Sequence, residues 1–460
     1  MSTQGKTLDQ LNDRLSHHMN LILRCTVPSQ RYGRLLLASP PTSRYPYIYP
    51  RDTSAAVQLF RRLAGSRRGY DVGQTAFELM RAMAHFIRDV QAGDGSWGQR
   101  YSLDGEDKSI YKQEDNVAHG IAILCNYLLT ACRLEKEVNE KEAFLASIDK
   151  ALEYSLAHLY QKELNLFHST TSIHESAMEE GYTCWVNFSF LYAFSLAHEV
   201  ATLLDETRII CPAHLNFRRH FLYSVGELFV AGHRYIRRID AQGNIDLRPD
   251  FTLLSPFYYG FLHYRDEMEA SAQFLEKQLW DPELGLIMRY LPFYKDFSTH
   301  VHAGNGPWLQ YTAILAQFHY WNGNTERGDE LLEKIDTYAT EEGEIPEHLS
   351  TCKRFEDFME AEWKTGIDFA KEFHKPILLD GVDFDKILEE ANNMARSYEE
   401  TGRRCVIDRT SEEGGFIRFT TPLMWSHVEY ARALLVRAGD WWKMRRRESL
   451  DHTSKTDRTR

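Results

Sequence analysis

The sequence is poor in cysteine and has no metal-binding spacing. Seven cysteines occur in 460 residues: Cys25, Cys125, Cys132, Cys184, Cys211, Cys352 and Cys405. Their number is odd, their spacing is wide and no CxxC pair occurs, which argues against a zinc site and a disulfide framework. Reduced thiols and a cytoplasmic protein are therefore expected. His119 and the His17–His18 pair have no companion at ligand spacing, so neither a metal nor a cofactor is expected. A basic excess is also missing. Lys and Arg total 54 against 66 Asp and Glu, a net charge of −12. A nucleic-acid partner needs a basic face to displace counterions, so that class is excluded. No uncharged run of ~18 residues occurs, so no membrane span is expected. The first twenty residues hold no apolar run, so no secretory signal is expected. No Pro/Gly/Ser-rich linker divides the chain. Regularly spaced strands are absent too, which excludes a sandwich domain. Residues 1–442 read as one unit, and 443–460 as a charged tail whose basic cluster is a solvated helix end. Oligomeric state leaves no signal.

Helical signal is abundant. Val117 to Leu134 is apolar almost all round, as a buried helix should be. In the next segment Leu145, Ile148, Leu152, Leu156 and Leu159 recur at three- and four-residue steps. That is one apolar stripe on a helix wetted elsewhere. The contrast repeats. Tyr182 to Leu204 and Trp308 to Trp321 are broadly apolar. After the second of these, Leu331, Leu332, Ile335 and Tyr338 form a stripe. Alternation of buried and half-wet helices without a fixed 20–50-residue period favours a closed double ring over an open solenoid. The expected fold class is all-α, an (α/α)6 toroid. Residues 239–248 and 285–293 read as short hairpins or loops.

Unusual polar residues gather just before the apolar helices. The segments are YPYIYPRD (45–52), GSWGQRYSLDG (95–105), KQEDN (112–116), IHESAMEEGY (173–182), HAGNGPW (302–308) and TPLMWSH (421–427). EGEIPEHLS (342–350) follows an outer helix. In a toroid of helical hairpins the inner helices run the same way, so these segments should meet around one funnel. Loops on such a scaffold carry function because the helices hold them. Aromatics make up 13% of the chain, with 24 Tyr, 25 Phe and 9 Trp. Flat rings suit sugar faces and large cores alike. Carboxylates and guanidinium groups bind hydroxyls.

Glycosidic hydrolysis needs one protonated and one ionised carboxyl. The funnel candidates are Asp52, Asp104, Asp115, Glu175, Glu179, Glu180, Glu344 and Glu347. Glu347 stands out because Pro346 fixes the backbone before it. A surface-loop acid is the plain alternative there. Arg51–Asp52 also read as a helix start, Asn116 as an N-cap, and Trp97 and Trp308 as core. Asp115 suits either a helix N-terminal charge or a sugar contact.

Taken in order, these segments resemble glycoside hydrolase family 15, the glucoamylase-type enzymes. The resemblance implies a six-hairpin (α/α)6 barrel, α-glucoside substrates and inversion by two Glu residues. It matches Arg51–Asp52 to the pair that grips the terminal sugar. Trp97, Arg100, Tyr101 and Asp104 match a Trp-containing segment. Arg289–Tyr290 and Asn305-Gly306-Pro307-Trp308 match an Arg-Tyr pair and the loop after it. Pro346-Glu347-His348 matches the motif of the base. Thr421, Pro422, Trp425, Ser426 and His427 match the terminal stretch. The general acid follows a Trp in the family. Here His174 takes that place before Glu175, which is the implied acid. Glu179 and Glu180 lie close enough to align instead, and Trp185 is a candidate for the missing ring. The implied partner is a soluble α-linked oligosaccharide, with Glu347 as base. Arg51, Asp52, Asp115 and Arg289 would contact it, and Trp97 and Trp308 would form its wall. A non-catalytic carbohydrate-binding toroid, or a hydrolase of trehalose or isomalto-oligosaccharides, stays open at this point.

Overall fold

The computed structural model describes residues 8–66, 69–174, 180–205, 212–291, 306–357, 378–383, 410–411 and 414–439. The tail at 443–460 therefore lies outside the described residues. Helices alternate between two layers. The inner ones are α2 (Pro50–Ala64), α4 (Asp115–Arg133), α6 (Cys184–Leu204), the short α8 (Ser255–Tyr258), α10 (Leu309–Asn322) and α12 (Met424–Arg437). The outer ones are α1 (Leu8–Arg24), α3 (Gly73–Asp89), α5 (Lys141–Tyr154), α7 (Pro212–Leu228), α9 (Arg265–Leu279) and α11 (Thr325–Tyr338). Among the described residues this makes the double ring of an (α/α)6 toroid. The inner ring closes on itself. α2 packs on α4, α4 on α6, α6 on α8, α10 on α12, and α12 back on α2. Phe257 of α8 meets Phe318 and Trp321 of α10 and completes the circuit.

Layer position follows from apolar width. Every residue of α10 from Leu309 to Trp321 is buried. α11 buries Leu331, Leu332, Ile335 and Tyr338 and leaves most of its other face wet. α5 likewise buries Phe144, Leu145, Ile148 and Leu152. A helix walled on both sides must be apolar all round, whereas an outer helix needs one stripe.

Helix ends differ from the sequence reading by a few residues. α2 begins at Pro50, whose fixed φ suits a first helical turn. α4 begins at Asp115, so Asn116 is not its cap. The Asn116 amide donates instead to the Gly98 carbonyl at 3.1 Å. Tyr182 and Thr183 form a strand rather than a helix start. They pair antiparallel with Arg238–Ile239, and the Thr183 hydroxyl caps α6 by accepting from the Val186 amide. The 239–248 region is a hairpin, with Arg238–Ile239 against Ile245–Asp246. Leu286–Ile287 pairs with Trp280–Asp281. Residues 292 and 293 lie outside the described residues. Among the described residues the sheets have two or three strands. No described helix is long and apolar enough to cross a membrane.

Candidate active site

The N-terminal ends of the inner helices meet at one mouth, and the residues there bind one another. Arg51, on the first turn of α2, forms a bidentate pair with Asp115 at the start of α4, at 3.1 and 3.2 Å. Its Nη2 also donates to the Ser172 carbonyl at 2.8 Å. Asp115 is fully buried. Burial pushes its carboxyl up, but the Arg51 guanidinium, with His119 beside it, holds it well below the usual range. Trp185, one turn into the mouth from α6, donates its Nε1 to the same carboxylate at 3.1 Å. Its ring packs against Tyr258, Tyr259 and Trp425, with centroids 5.2, 5.1 and 6.5 Å away. Trp185 thus forms part of the aromatic floor and anchors Asp115.

Glu347 stands on the opposite side of this mouth. Its backbone is held by three elements. Its amide donates to the carbonyls of Phe419 and Thr420 at 3.0 and 3.2 Å, and its carbonyl accepts from the Leu309 amide at the head of α10. The strand that follows, His348–Thr351, pairs antiparallel with Phe416–Phe419. Pro346 contributes its carbonyl to the Ser426 hydroxyl at 2.9 Å. The Ile345 amide donates to His427 Nε2 at 3.0 Å. His427 and Ser426 of the TPLMWSH segment therefore brace the PEH loop. Trp425 points inward and donates to Glu429 at 2.9 Å.

The Glu347 carboxyl is mostly buried, with 8% of the residue exposed. Its Oε2 accepts from the Tyr45 phenol at 3.3 Å and lies 3.1 Å from His348 Nδ1. Among the described residues nothing bonds Oε1. Burial lowers the His348 pKa, and Glu347 only partly offsets it. A neutral ring next to an ionised carboxylate must then carry its proton on Nδ1 and donate. His348 is clamped between flat faces, with Trp308 4.7 Å and Phe419 4.5 Å away between centroids, both stacked. The Arg289 guanidinium lies over the Trp308 ring, 4.3 Å from its centroid. Arg289, Trp308, His348 and Phe419 are thus linked by successive ring contacts, and the Nδ1 edge of the His348 ring touches the carboxyl of Glu347. Gly306 makes the close approach feasible. A Cβ there would sit 1.7 Å from the Leu349 carbonyl oxygen, so no larger residue fits.

The structure sorts the sequence candidates. Arg51, Asp115, Arg289, Trp308 and Glu347 come together around the mouth. Asp52 lies half-buried on the first turn of α2. Trp97 is packed between layers. Its ring rests on Gly120 of α4, and its Nε1 donates to the Ile87 carbonyl of α3 at 2.7 Å. Asp104 and Glu180 are exposed. Glu344 pairs with Arg24 of α1. Glu175, Glu179 and Asn305 lie outside the described residues. His174, the residue before Glu175, is buried with Nε2 3.0 Å from Asp250 Oδ1. Sequence reasoning gave no role to Tyr45, Asp250 or Arg237. The alternation of tyrosines in YPYIYP was a signal for Tyr45, because period two puts Tyr45, Tyr47 and Tyr49 on one face. Asp250 and Arg237 carried none. Among the described residues, no group of three His, Cys, Asp or Glu is placed to hold a metal ion.

No family model matches the sequence, and no curated protein matches it. Solved structures do match in shape. One is a wild-type glycosidase, with a TM-score of 0.59 and 17% identity over 95% of this chain and 100% of that one. A glutamate-to-alanine variant described under the same name is in complex with glucose, with a TM-score of 0.58 and 16% identity over 95% of this chain and 100% of that one. Another is the glucoamylase from Saccharomycopsis fibuligera, with a TM-score of 0.57 and 13% identity over 94% of this chain and 95% of that one. At these identities the likeness concerns the fold, and the chain has the six-hairpin toroid of the glycosidases it superposes on.

Proposed function

We propose that the protein is an inverting glycoside hydrolase that removes terminal α-glucosyl units from the non-reducing ends of soluble oligosaccharides. The observation that carries the proposal is the setting of Glu347. It is a carboxyl at the mouth of a glycosidase-type toroid, oriented through one oxygen by Tyr45 and His348, with its other oxygen unengaged among the described residues. A general base needs that arrangement, because one oxygen must be fixed while the other takes a proton from water. The glucose-bound neighbour supports a glucosyl substrate.

In this reading Glu347 is the base. Glu175, from its place in the resemblance, is the acid that protonates the departing oxygen. Arg289 and Asp52 bind hydroxyls of the terminal sugar, and Trp308 forms its wall. Arg51 and Asp115 act as a bonded unit that shapes the same side. Trp97 supports the wall from behind.

The test is maltose or maltotriose hydrolysis followed by NMR from the first seconds. Inversion at an α-linked substrate releases the β-anomer of glucose. Release of the α-anomer would sink the assignment. Glu347→Gln should lose turnover by about 10²- to 10⁴-fold while keeping sugar binding. Sugar binding without any release by the unmodified protein would mark a pure binder.

A further inference from the structure

The chain just before Glu175 is tied down residue by residue. Ser169 exchanges both backbone bonds with Gly181 across the segment. The Thr170 amide and hydroxyl donate to the Glu114 carboxylate at 3.0 and 2.7 Å. The Ser172 carbonyl accepts from Arg51. His174 comes last. Its Nε2 faces Asp250 Oδ1, which also accepts from the Thr252 amide at 2.8 Å. The other oxygen of Asp250 accepts from Arg237 Nε at 2.6 Å. His174 and Arg237 are 1% exposed and Asp250 is 0%.

This trio joins the two sides of the segment. The Arg237 carbonyl accepts from the Cys184 amide at 2.9 Å, and the next two residues pair with Tyr182–Thr183. The hairpin that holds the far side therefore reaches, through Arg237 and Asp250, to His174 on the near side. Asp250 also lies beside the Arg289–Tyr290 pair. The Phe251 amide donates to the Arg289 carbonyl at 2.8 Å.

Packing alone does not ask for histidine here. The His174 ring lies against Tyr290, with centroids 4.7 Å apart, a place any aromatic ring would fill. Putting a polar ring and a carboxylate into the core has a desolvation cost that an apolar ring would avoid. What histidine adds is a directed N–H bond to a carboxylate fixed on its other side. Asp250 is held ionised, against its burial, by His174 and Arg237. It can only accept, so Nε2 of His174 carries the proton.

We propose that His174 is a positioning residue for the reaction: bonded to Asp250, and through it to Arg237, it anchors the chain at position 174, one residue before the proposed acid Glu175. The inference rests on the hydrolase reading and on Glu175 as the acid. The bond takes over, by a different interaction, the place that a Trp holds in the family 15 pattern.

The test compares two substrates. Maltose leaves only if its bridging oxygen is protonated. α-Glucosyl fluoride does not need this. Its C1–F bond breaks to release fluoride, the water oxygen bonds to C1, and Glu347 takes the water proton. His174→Phe keeps the ring and removes the donor. It should lower kcat on maltose by about a hundredfold, the order expected for a misplaced catalytic group. KM and turnover of α-glucosyl fluoride should change little. His174→Gln, whose amide can donate to Asp250, should show a smaller loss of the same kind and keeps the test decisive if the Phe variant fails to fold. Equal losses on both substrates would mean a merely structural role and overturn the proposal. Unchanged maltose turnover would overturn it too. An active protein whose Glu175→Gln variant still cleaves maltose would remove the acid assignment and this inference with it. An unmodified protein that cleaves neither substrate would instead refute the hydrolase reading.

Discussion

The Tyr45 phenol lies 3.3 Å from Oε2 of Glu347, joining residues 302 positions apart in the chain. The same oxygen lies against His348 Nδ1. Two neighbours on one oxygen hold the carboxyl in a single orientation. A hydrogen bond to a charged group contributes about 1.5–3 kcal/mol.

Tyr45→Phe should therefore reduce kcat by about ten- to a hundredfold if that stabilisation is felt in the reaction. The ring stays, so KM and folding should change little. Steady-state kinetics on maltotriose checks this. A KM effect without a kcat effect would place Tyr45 in binding rather than in orienting Glu347.

The Arg51–Asp115 pair has a larger structural consequence. Both partners are buried, and Asp115 also holds Trp185. Asp115→Asn removes the buried carboxylate of this bidentate pair, and breaking a buried pair costs about 3–5 kcal/mol. Thermal unfolding should move down clearly, and turnover should fall with it. The pH dependence has a definite sign. A carboxyl held below its ordinary value when folded stabilises the protein fully above the unfolded value of about 3.9. That contribution is lost as pH falls toward the folded value. Asp250 behaves alike. Asp115→Asn should therefore flatten the acid-side drop in stability below about pH 4, read by denaturant titrations at several pH values.

A second pH effect begins nearer neutrality. His18 of α1 and His427 of α12 face each other with Nδ1 atoms 3.1 Å apart. Because His427 Nε2 accepts from Ile345, its proton sits on Nδ1 and is donated to His18. Burial pushes His427 down to about 3, with His17 and Arg24 adding to it. Burial, then the neighbouring His427, His17 and Arg14, lower His18 well below its ordinary value. The unfolded chain binds protons at these positions near pH 6.5, and the folded chain does not. Stability from the pair is thus complete above about pH 6.5 and declines as pH falls from there toward the folded values. A His18→Leu/His427→Leu variant should lose this slope between pH 6.5 and 5 while being less stable at pH 7.5. Melting curves across that range provide the check. An unchanged slope would show that other groups carry the effect.

Much of the architecture was legible because it is written in short-range periodicity. The all-round apolar run of α4 and the single stripe of α11 declared their layers without any partner in view. The segments at the mouth were legible for a related reason, since polar and aromatic residues crowd against apolar helix starts. Strand 182–183 was misread as helix. Its residues suit either state, and a partner some fifty positions on, Arg238–Ile239, decides between them.

The site was legible as a set of residue types and not as a set of contacts. Trp97 and Trp308 look alike in sequence. One is locked between layers by Gly120 and Ile87, while the other contacts Arg289 and stacks on His348. Asp250 has no local mark, yet it links His174 to Arg237.

The sequence by itself determined the helical double layer and the order of the mouth segments, because apolar spacing acts within a few residues. Only the tertiary structure decided that Arg51 binds Asp115, that Tyr45 and His348 share one oxygen of Glu347, and that His174 is bonded to Asp250. Those bonds need atoms within about 3 Å of each other. Ring closure brings residues that distant in the chain to such a separation, and no pattern along the chain encodes it.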